Sequence, residues 1–202
     1  MVNQGRINGF ILAGGKSRRM GRDKGLIFFG KKPLVLRVAA LLKPYVDEVT
    51  LLAPPDRYRN LGLAVLADRW PDQGPLAAVS TGLLSSNAEW NIFLACDLPL
   101  VSCQFIRFLV QRVRATRSDA VVPRTHDTWQ PLSAAYHVRC RTPFVRAIKE
   151  GRRSVIGLFD EVRVDVITLD DMVSAGLSST ELANLNTPED WIRIKSFSKG
   201  AR

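Results

Sequence analysis

INGFILAGGKSRRMGRDKG, residues 7–25, sets a short apolar run directly ahead of two adjacent glycines and a string of cations. The apolar part, INGFILA, reads as a first β-strand. Gly14 and Gly15 let backbone N–H groups come close to a bound anion. Lys16, Arg18, Arg19 and Lys24 supply positive charge around them. A strand that runs into a glycine-rich, cationic turn is how open α/β sheets hold phosphate groups. Two familiar phosphate loops fail on spacing. Gly15-Lys16-Ser17 could end a G-x-x-x-x-G-K-[ST] loop, but its first glycine would fall on Phe10. A G-x-G-x-x-G fingerprint counted from Gly14 fails at Lys16. The segment looks like a phosphate loop of another kind.

Outward from it, short apolar runs alternate with helical patterns, which predicts strands and helices around a largely parallel sheet. PLVLRVAALLKPYV predicts a helix beginning near Pro33. DEVTLLA and LAVLAD predict strands, and PLAAVSTGLLSS a helix with Pro75 at its start. NIFLACD is a strand buried on both faces. SCQFIRFLVQRVRA places Phe105, Phe108, Leu109 and Val113 at helical spacing. The order to this point is βαββαβα, an open α/β sandwich. DAVVP and QPLSAAYH then predict strands flanking the loop RTHDTW, and RTPFVRAIKEG a helix closed by Gly151. SVIGLF is a short helix or loop and RVDVITL a strand. In NTPEDWIRIKSF, Thr187 is a candidate N-cap, with Pro188 at the first helical position and Glu189 and Asp190 in the first turn. No internal repeat or low-complexity linker interrupts the 202 residues, so one domain is expected.

The composition, 46% hydrophobic and 24% charged, is that of a soluble globular protein. No apolar stretch approaches the length of a membrane span, and MVNQGRINGF lacks a signal-peptide pattern, so no membrane association and a cytoplasmic location are expected. Cys96, Cys103 and Cys140 are an odd number without C-x-x-C pairing, which suggests neither a disulfide framework nor a zinc site. The net charge of +10 favours an anionic partner but does not choose one. The basic residues are spread along the chain and are not interleaved with aromatic residues, which argues against a single-strand nucleic-acid platform.

The pattern L-A-G-G-x-S-x-R-M-G-x-D-K, residues 12–24, resembles the signature of the molybdenum cofactor guanylyltransferases, the MobA family of nucleotidyltransferases. GPLAAV at residues 74–79, CDLP at 96–99, QPLSAAY and NLNTPED resemble later segments of the same family. Related enzymes that use CTP tend to read L-A-A-G at the first motif, so Gly14 favours the guanine-using branch. The resemblance implies a three-layer αβα sandwich with a mostly parallel, Rossmann-like sheet. It also implies one nucleotidyltransferase domain over residues 1–202, with a nucleotide-binding half of about 1–100 and an acceptor-binding half of about 101–195. The implied reaction transfers GMP from GTP to Mo-molybdopterin with Mg²⁺ as cofactor, and molybdoenzymes or delivery proteins become possible partners.

Site residues carried by the resemblance are Leu12, Ala13, Gly14 and Gly15 near base and sugar, with Arg19 and Lys24 on the triphosphate. Asp97 would emerge at the carboxyl end of a central strand as the magnesium ligand, since Mg²⁺ takes one or two carboxylates together with phosphate oxygens and water. Its alternative role is a cap for a helix near Pro99. Asp68 would help hold the nucleotide; otherwise it serves the turn before RWPDQG. Asn184 and Asn186 match the family's N-x-N-T-P on the acceptor side, or bond locally ahead of a helix. Arg153 would meet the acceptor, with Arg152 an equal candidate. Two departures stand out. Ala78 replaces the second glycine of G-P-L-A-G, and LLAPPD puts Leu52 and Ala53 where the family often has a nucleotide-binding asparagine. The competing readings are a relative using CTP or a sugar-phosphate acceptor, a nucleotide-binding adaptor without turnover, and a nucleic-acid binder resting on charge alone.

Overall fold

A computed structural model describes residues 5–14, 23–125 and 127–199. In chain order it carries β1 (Ile7–Leu12), a two-stranded ribbon of β2 (Phe28–Phe29) and β3 (Lys32–Pro33), α1 (Leu34–Leu42), β4 (Glu48–Leu52), α2 (Pro55–Tyr58), β5 (Ala64–Leu66) and α3 (Pro75–Ser85). There follow β6 (Trp90–Ala95), α4 (Cys103–Ala115), β7 (Ala120–Thr125), β8 (Thr128–Trp129), β9 (Ser133–His137), α5 (Arg141–Lys149), β10 (Val164–Ile167), α6 (Leu169–Ser174) and α7 (Pro188–Lys199). The main sheet has the order β10-β7-β9-β6-β1-β4-β5, with β8 paired to β7. β1 pairs in parallel with both β4 and β6, β4 with β5 and β7 with β10, while β9 runs antiparallel between β6 and β7. The sheet is mostly parallel, as expected; the antiparallel β9 is what the strand pattern of QPLSAAYH could not specify.

Alternation along the strands sorts the side chains into two cores. Ile7 and Ile11 of β1 and Ile92 and Leu94 of β6 face one layer, where α1 contributes Val35, Val38 and Leu42 and α4 contributes Phe105, Leu109 and Val113. Phe10, Leu12 and Phe93 face the other, against Leu76, Val79 and Leu83 of α3 and Phe144 and Ile148 of α5. This is a three-layer αβα sandwich. A third group, Leu34, Leu185 and Ile194 with Phe29 and Trp191 packed on them, fixes α7 against the start of α1. Because β1 is flanked by β4 on one side and β6 on the other, the chain leaves it in both directions. The carboxyl end of β1 is therefore the switch point, where such sheets open a crevice.

Local chemistry explains several boundaries. Gly74 has φ +83° and precedes Pro75, so the glycine makes the turn and the proline opens α3. Pro33 belongs to β3 with ψ 146°, and α1 begins one residue later at Leu34. The Asp190 amide donates to Thr187 Oγ1 at 3.2 Å and the Thr187 amide donates to Asp190 Oδ2 at 3.0 Å, the reciprocal capping expected at the head of α7. SVIGLF forms a single 3₁₀ turn at Ile156–Leu158.

Candidate active site

The crevice is built by backbone that continues the ladder beyond the strand ends. The Ala13 amide donates to Leu52 O at 3.0 Å, Cys96 N to Leu12 O at 3.0 Å and Ala53 N to Leu66 O at 3.1 Å. The residues that follow β1, β4 and β6 are thus held side by side, and the exposed Gly14 emerges among them. Among the described residues a Cβ placed on Gly14 would meet nothing nearer than Leu52 O at 3.9 Å. The described residues leave room for alanine there. Gly15 and Arg19 lie outside the described residues, as does His126.

Asp23 caps the 3₁₀ turn Lys24–Leu26 by accepting from Gly25 N at 3.2 Å. The same carboxylate accepts from the Tyr58 hydroxyl and pairs with Arg57. Burial, then the bond to Asp23, pushes the Tyr58 phenol well above its ordinary range, so it stays a donor. Gly25 is needed for this arrangement: a Cβ there would lie 2.6 Å from the Tyr58 oxygen. The clamp aims Lys24 into the crevice. Its Nζ donates to Asp97 Oδ2 at 3.2 Å and to Asn186 Oδ1 at 2.6 Å. Three residues separated by up to 162 positions meet at one ammonium group.

Asp97 stands just past the end of β6, as the apolar run before it predicts, and its carbonyl accepts from Leu185 N at 2.8 Å. That bond ties the loop of Asn184 and Asn186 to the end of the central strand. Asp190 finishes the loop by accepting from Asn186 N at 2.9 Å. The helix-cap alternative for Asp97 is not what is seen: Ser102 caps α4, accepting from Phe105 N at 3.1 Å. Cys96, beside Asp97, is buried; desolvation, reinforced by the Asp97 charge, raises its thiol far above the usual range and leaves it un-ionised. Among the described residues no group of three or more His, Cys, Asp and Glu gathers as a metal cluster. Asp97 offers a single, partly exposed carboxylate, a donor of the kind Mg²⁺ takes together with water and phosphate oxygens, and the Lys24 ammonium stands against it here.

Asp68 follows β5 and spends one oxygen locally, accepting from Trp70 N at 3.0 Å and Thr81 Oγ1 at 2.9 Å. The turn role foreseen for it is present. Arg152 is occupied by Glu161 and the Gly157 carbonyl, whereas the exposed Arg153 side chain has no polar partner among the described residues. The Arg153 carbonyl accepts from Leu76 N at 3.2 Å, and a Cβ on Gly74 would sit 3.2 Å from that oxygen. Gly74 and Arg153 are therefore packed together at the head of α3. Leu52 and Ala53 are buried, so neither side chain reaches the crevice. Ala78 is half-buried within α3 against the second core.

Asp23, Tyr58 and Asp190 join the site through contacts that the sequence pattern does not single out. Asp23 had a signal, an Asp two residues before a glycine and next to the motif's lysine; the partner it needed, Tyr58, lies in a segment without periodicity.

A model of the MobA-like NTP transferase domain family matches residues 9–164. The chain is 34% identical over 189 residues to a probable molybdenum cofactor guanylyltransferase of Synechococcus elongatus, covering 90% of this chain and 94% of that protein. It is 32% identical over 184 residues to the molybdenum cofactor guanylyltransferase of Vibrio parahaemolyticus, covering 89% and 90%. Among solved structures, the molybdopterin-guanine dinucleotide biosynthesis protein A of Archaeoglobus fulgidus superposes with a TM-score of 0.82 at 21% identity, covering 96% of this chain and 99% of that one. The 2-C-methyl-D-erythritol 4-phosphate cytidylyltransferase of Thermus thermophilus gives 0.68 at 14% identity, covering 94% and 98%. Both share the fold.

Proposed function

The chain belongs to the MobA-like NTP transferase family, and from that premise we propose that it transfers GMP from GTP to Mo-molybdopterin, forming molybdopterin guanine dinucleotide and pyrophosphate. Relatives at 34% and 32% identity over about nine-tenths of the chain bear the name of that activity. The observation that carries the reading is the convergence of Lys24, Asp97 and Asn186 at the carboxyl end of β1 and β6.

A terminal phosphate oxygen of molybdopterin attacks the α-phosphorus of GTP, and the bond to the β-phosphate oxygen breaks as pyrophosphate leaves. The nucleophile is already ionised near neutral pH, because the second pKa of a phosphomonoester is about 6. No protein nucleophile or strong base is required, in keeping with the un-ionised Cys96 thiol. Gly14 and its neighbours receive base and sugar, and Lys24 with Arg19 neutralises the charge moving onto the departing pyrophosphate. Asp97 is the residue that would hold Mg²⁺, which when bound withdraws charge from phosphate oxygens and aligns them. Asn184, Asn186 and Arg153 serve the acceptor.

No helix among the described residues is long and apolar enough to cross a membrane. A cytoplasmic setting, with delivery of the product to molybdoenzymes or carrier proteins and no nucleic-acid partner, fits this reading. Pyrophosphate release from GTP and molybdopterin, with CTP as control, tests it. Preferential use of CTP would assign the chain to a cytidylyl-transferring relative, activity with a sugar phosphate would change the acceptor, and binding of both substrates without release would leave an adaptor.

A further inference from the structure

Lys24 is claimed by three subsites at once. It lies in the nucleotide segment, yet its ammonium is hydrogen-bonded to the carboxylate that would hold the cation and to an asparagine of the acceptor loop. Both side chains of the ion pair are about one-fifth exposed, 18% for Lys24 and 19% for Asp97, so water screens the pair only partly. A divalent ion approaching Asp97 meets a positive charge already 3.2 Å from the carboxylate oxygen. Asn186 keeps its backbone fixed through Asp190 whatever its side chain does, so the amide oxygen can be surrendered without melting the loop. The Asp23–Tyr58 clamp fixes the turn from which Lys24 projects while leaving its four-carbon stem free to change direction.

We infer that Lys24 is an interlock that enforces the order of binding: in the nucleotide-free protein it blocks the cation position on Asp97 and holds the Asn186 side chain, and arrival of the triphosphate releases both. This deepens the proposed function and rests on it for the identity of the nucleotide. A triphosphate offers Lys24 several charged oxygens in place of one carboxylate and one amide. Once the ammonium moves to phosphate, Asp97 is open to the cation and Asn186 is open to the acceptor. Nucleotide therefore binds before the acceptor, and cation binds with the nucleotide rather than ahead of it.

Two measurements decide this. The first is a Mn²⁺ titration of the nucleotide-free protein, read by the electron paramagnetic resonance of free Mn²⁺. Lys24→Gln is expected to bind Mn²⁺ tighter than the native chain by on the order of tenfold or more, since it deletes a charge beside the carboxylate. Lys24→Arg keeps the charge and should remain weak, and adding Asp97→Asn to Lys24→Gln should cancel the gain. Equal Mn²⁺ affinity in the native chain and Lys24→Gln overturns the interlock. The second uses the native chain alone: GTP is added in excess EDTA and the Gly14 amide and Asn186 side-chain amide are followed by ¹⁵N NMR. Both signals should move together. A Gly14 shift with Asn186 unmoved overturns the interlock and leaves the nucleotide reading intact. If neither moves, the triphosphate by itself does not draw Lys24 away, which overturns the interlock and leaves the nucleotide reading to the turnover assay.

Discussion

At the scale of single residues, the site separates side chains the fold needs from those it does not. Asp97 contributes its backbone carbonyl to the loop at Leu185, but its carboxylate bonds only to Lys24 among the described residues. Asp97→Ala should therefore leave thermal unfolding nearly unchanged while lowering kcat on the order of 10²–10³-fold, the usual loss when a preorganised charge-stabilising group is removed. Near-native Mg²⁺-dependent turnover in that variant would take Asp97 out of the reaction. Gly14 makes a sharper case. Among the described residues its missing side chain meets no atom closer than 3.9 Å, so Gly14→Ala should stay within about 0.5 kcal/mol of native stability. The added methyl should instead act on the ligand, and a single methyl in a binding pocket is worth about 1–3 kcal/mol. Isothermal titration should show weaker GTP binding, with discrimination against CTP reduced; unchanged selectivity would separate Gly14 from base choice.

At the scale of elements, α3 shows how a helix is fitted to a sheet. Its small residue at the closest approach is Gly82, where a Cβ would lie 2.6 Å from Phe93 Cε1. Phe93 cannot yield: it is fully buried and stacked on Phe10 with ring centroids 5.0 Å apart. Gly82→Ala should cost about 1–3 kcal/mol, read as a lowered Tm. Ala78, the departure in the GPLAAV segment, is half-buried and bears on packing of α3 rather than on the turn at Gly74. The elements called by strong periodicity, such as α4 and β6, are where the pattern puts them. The β2–β3 ribbon, α2 and α6 are short pieces whose residues carry too few apolar repeats to reveal them; they lie largely at the surface, with α2 anchored by Tyr58 and α6 by Met172.

For the whole molecule, protonation sets the acid limit. His137 is buried with Nδ1 accepting from Arg139 N at 3.1 Å, and burial, the largest cause, holds its pKa below 6.5. A lowered pKa means that the unfolded chain takes up the proton first, so stability is full above about pH 6.5 and declines as the pH falls from there towards the folded value. Asp119 adds a second window. Hydrogen bonds and charge from Arg163 and Arg139 hold its carboxyl far below the usual range. Its contribution is present above about pH 3.9 and is lost as pH falls through the folded value. Calorimetry from pH 8 down to about pH 2 should show Tm falling in two stages, the lower one beginning near pH 3.9, and His137→Gln should flatten the upper one.

The order of strands and helices, the glycine-rich phosphate segment and the carboxylate at the end of a buried strand are all local features. Periodicity, turn chemistry and motif spacing are short-range quantities, legible in short windows along the chain, of which residues 7–25 and 90–99 carry the phosphate segment and the strand-end carboxylate. What brings Lys24 to Asp97 and Asn186, Asp23 to Tyr58, or Gly74 to the Arg153 carbonyl is the parallel pairing of β1 with β4 and β6 and the return of the chain through α7. These contacts join positions 35 to 162 residues apart. Only the closed sandwich decides them, because an ion pair or a buried hydroxyl bond depends on distance in space, which no local pattern of side chains encodes.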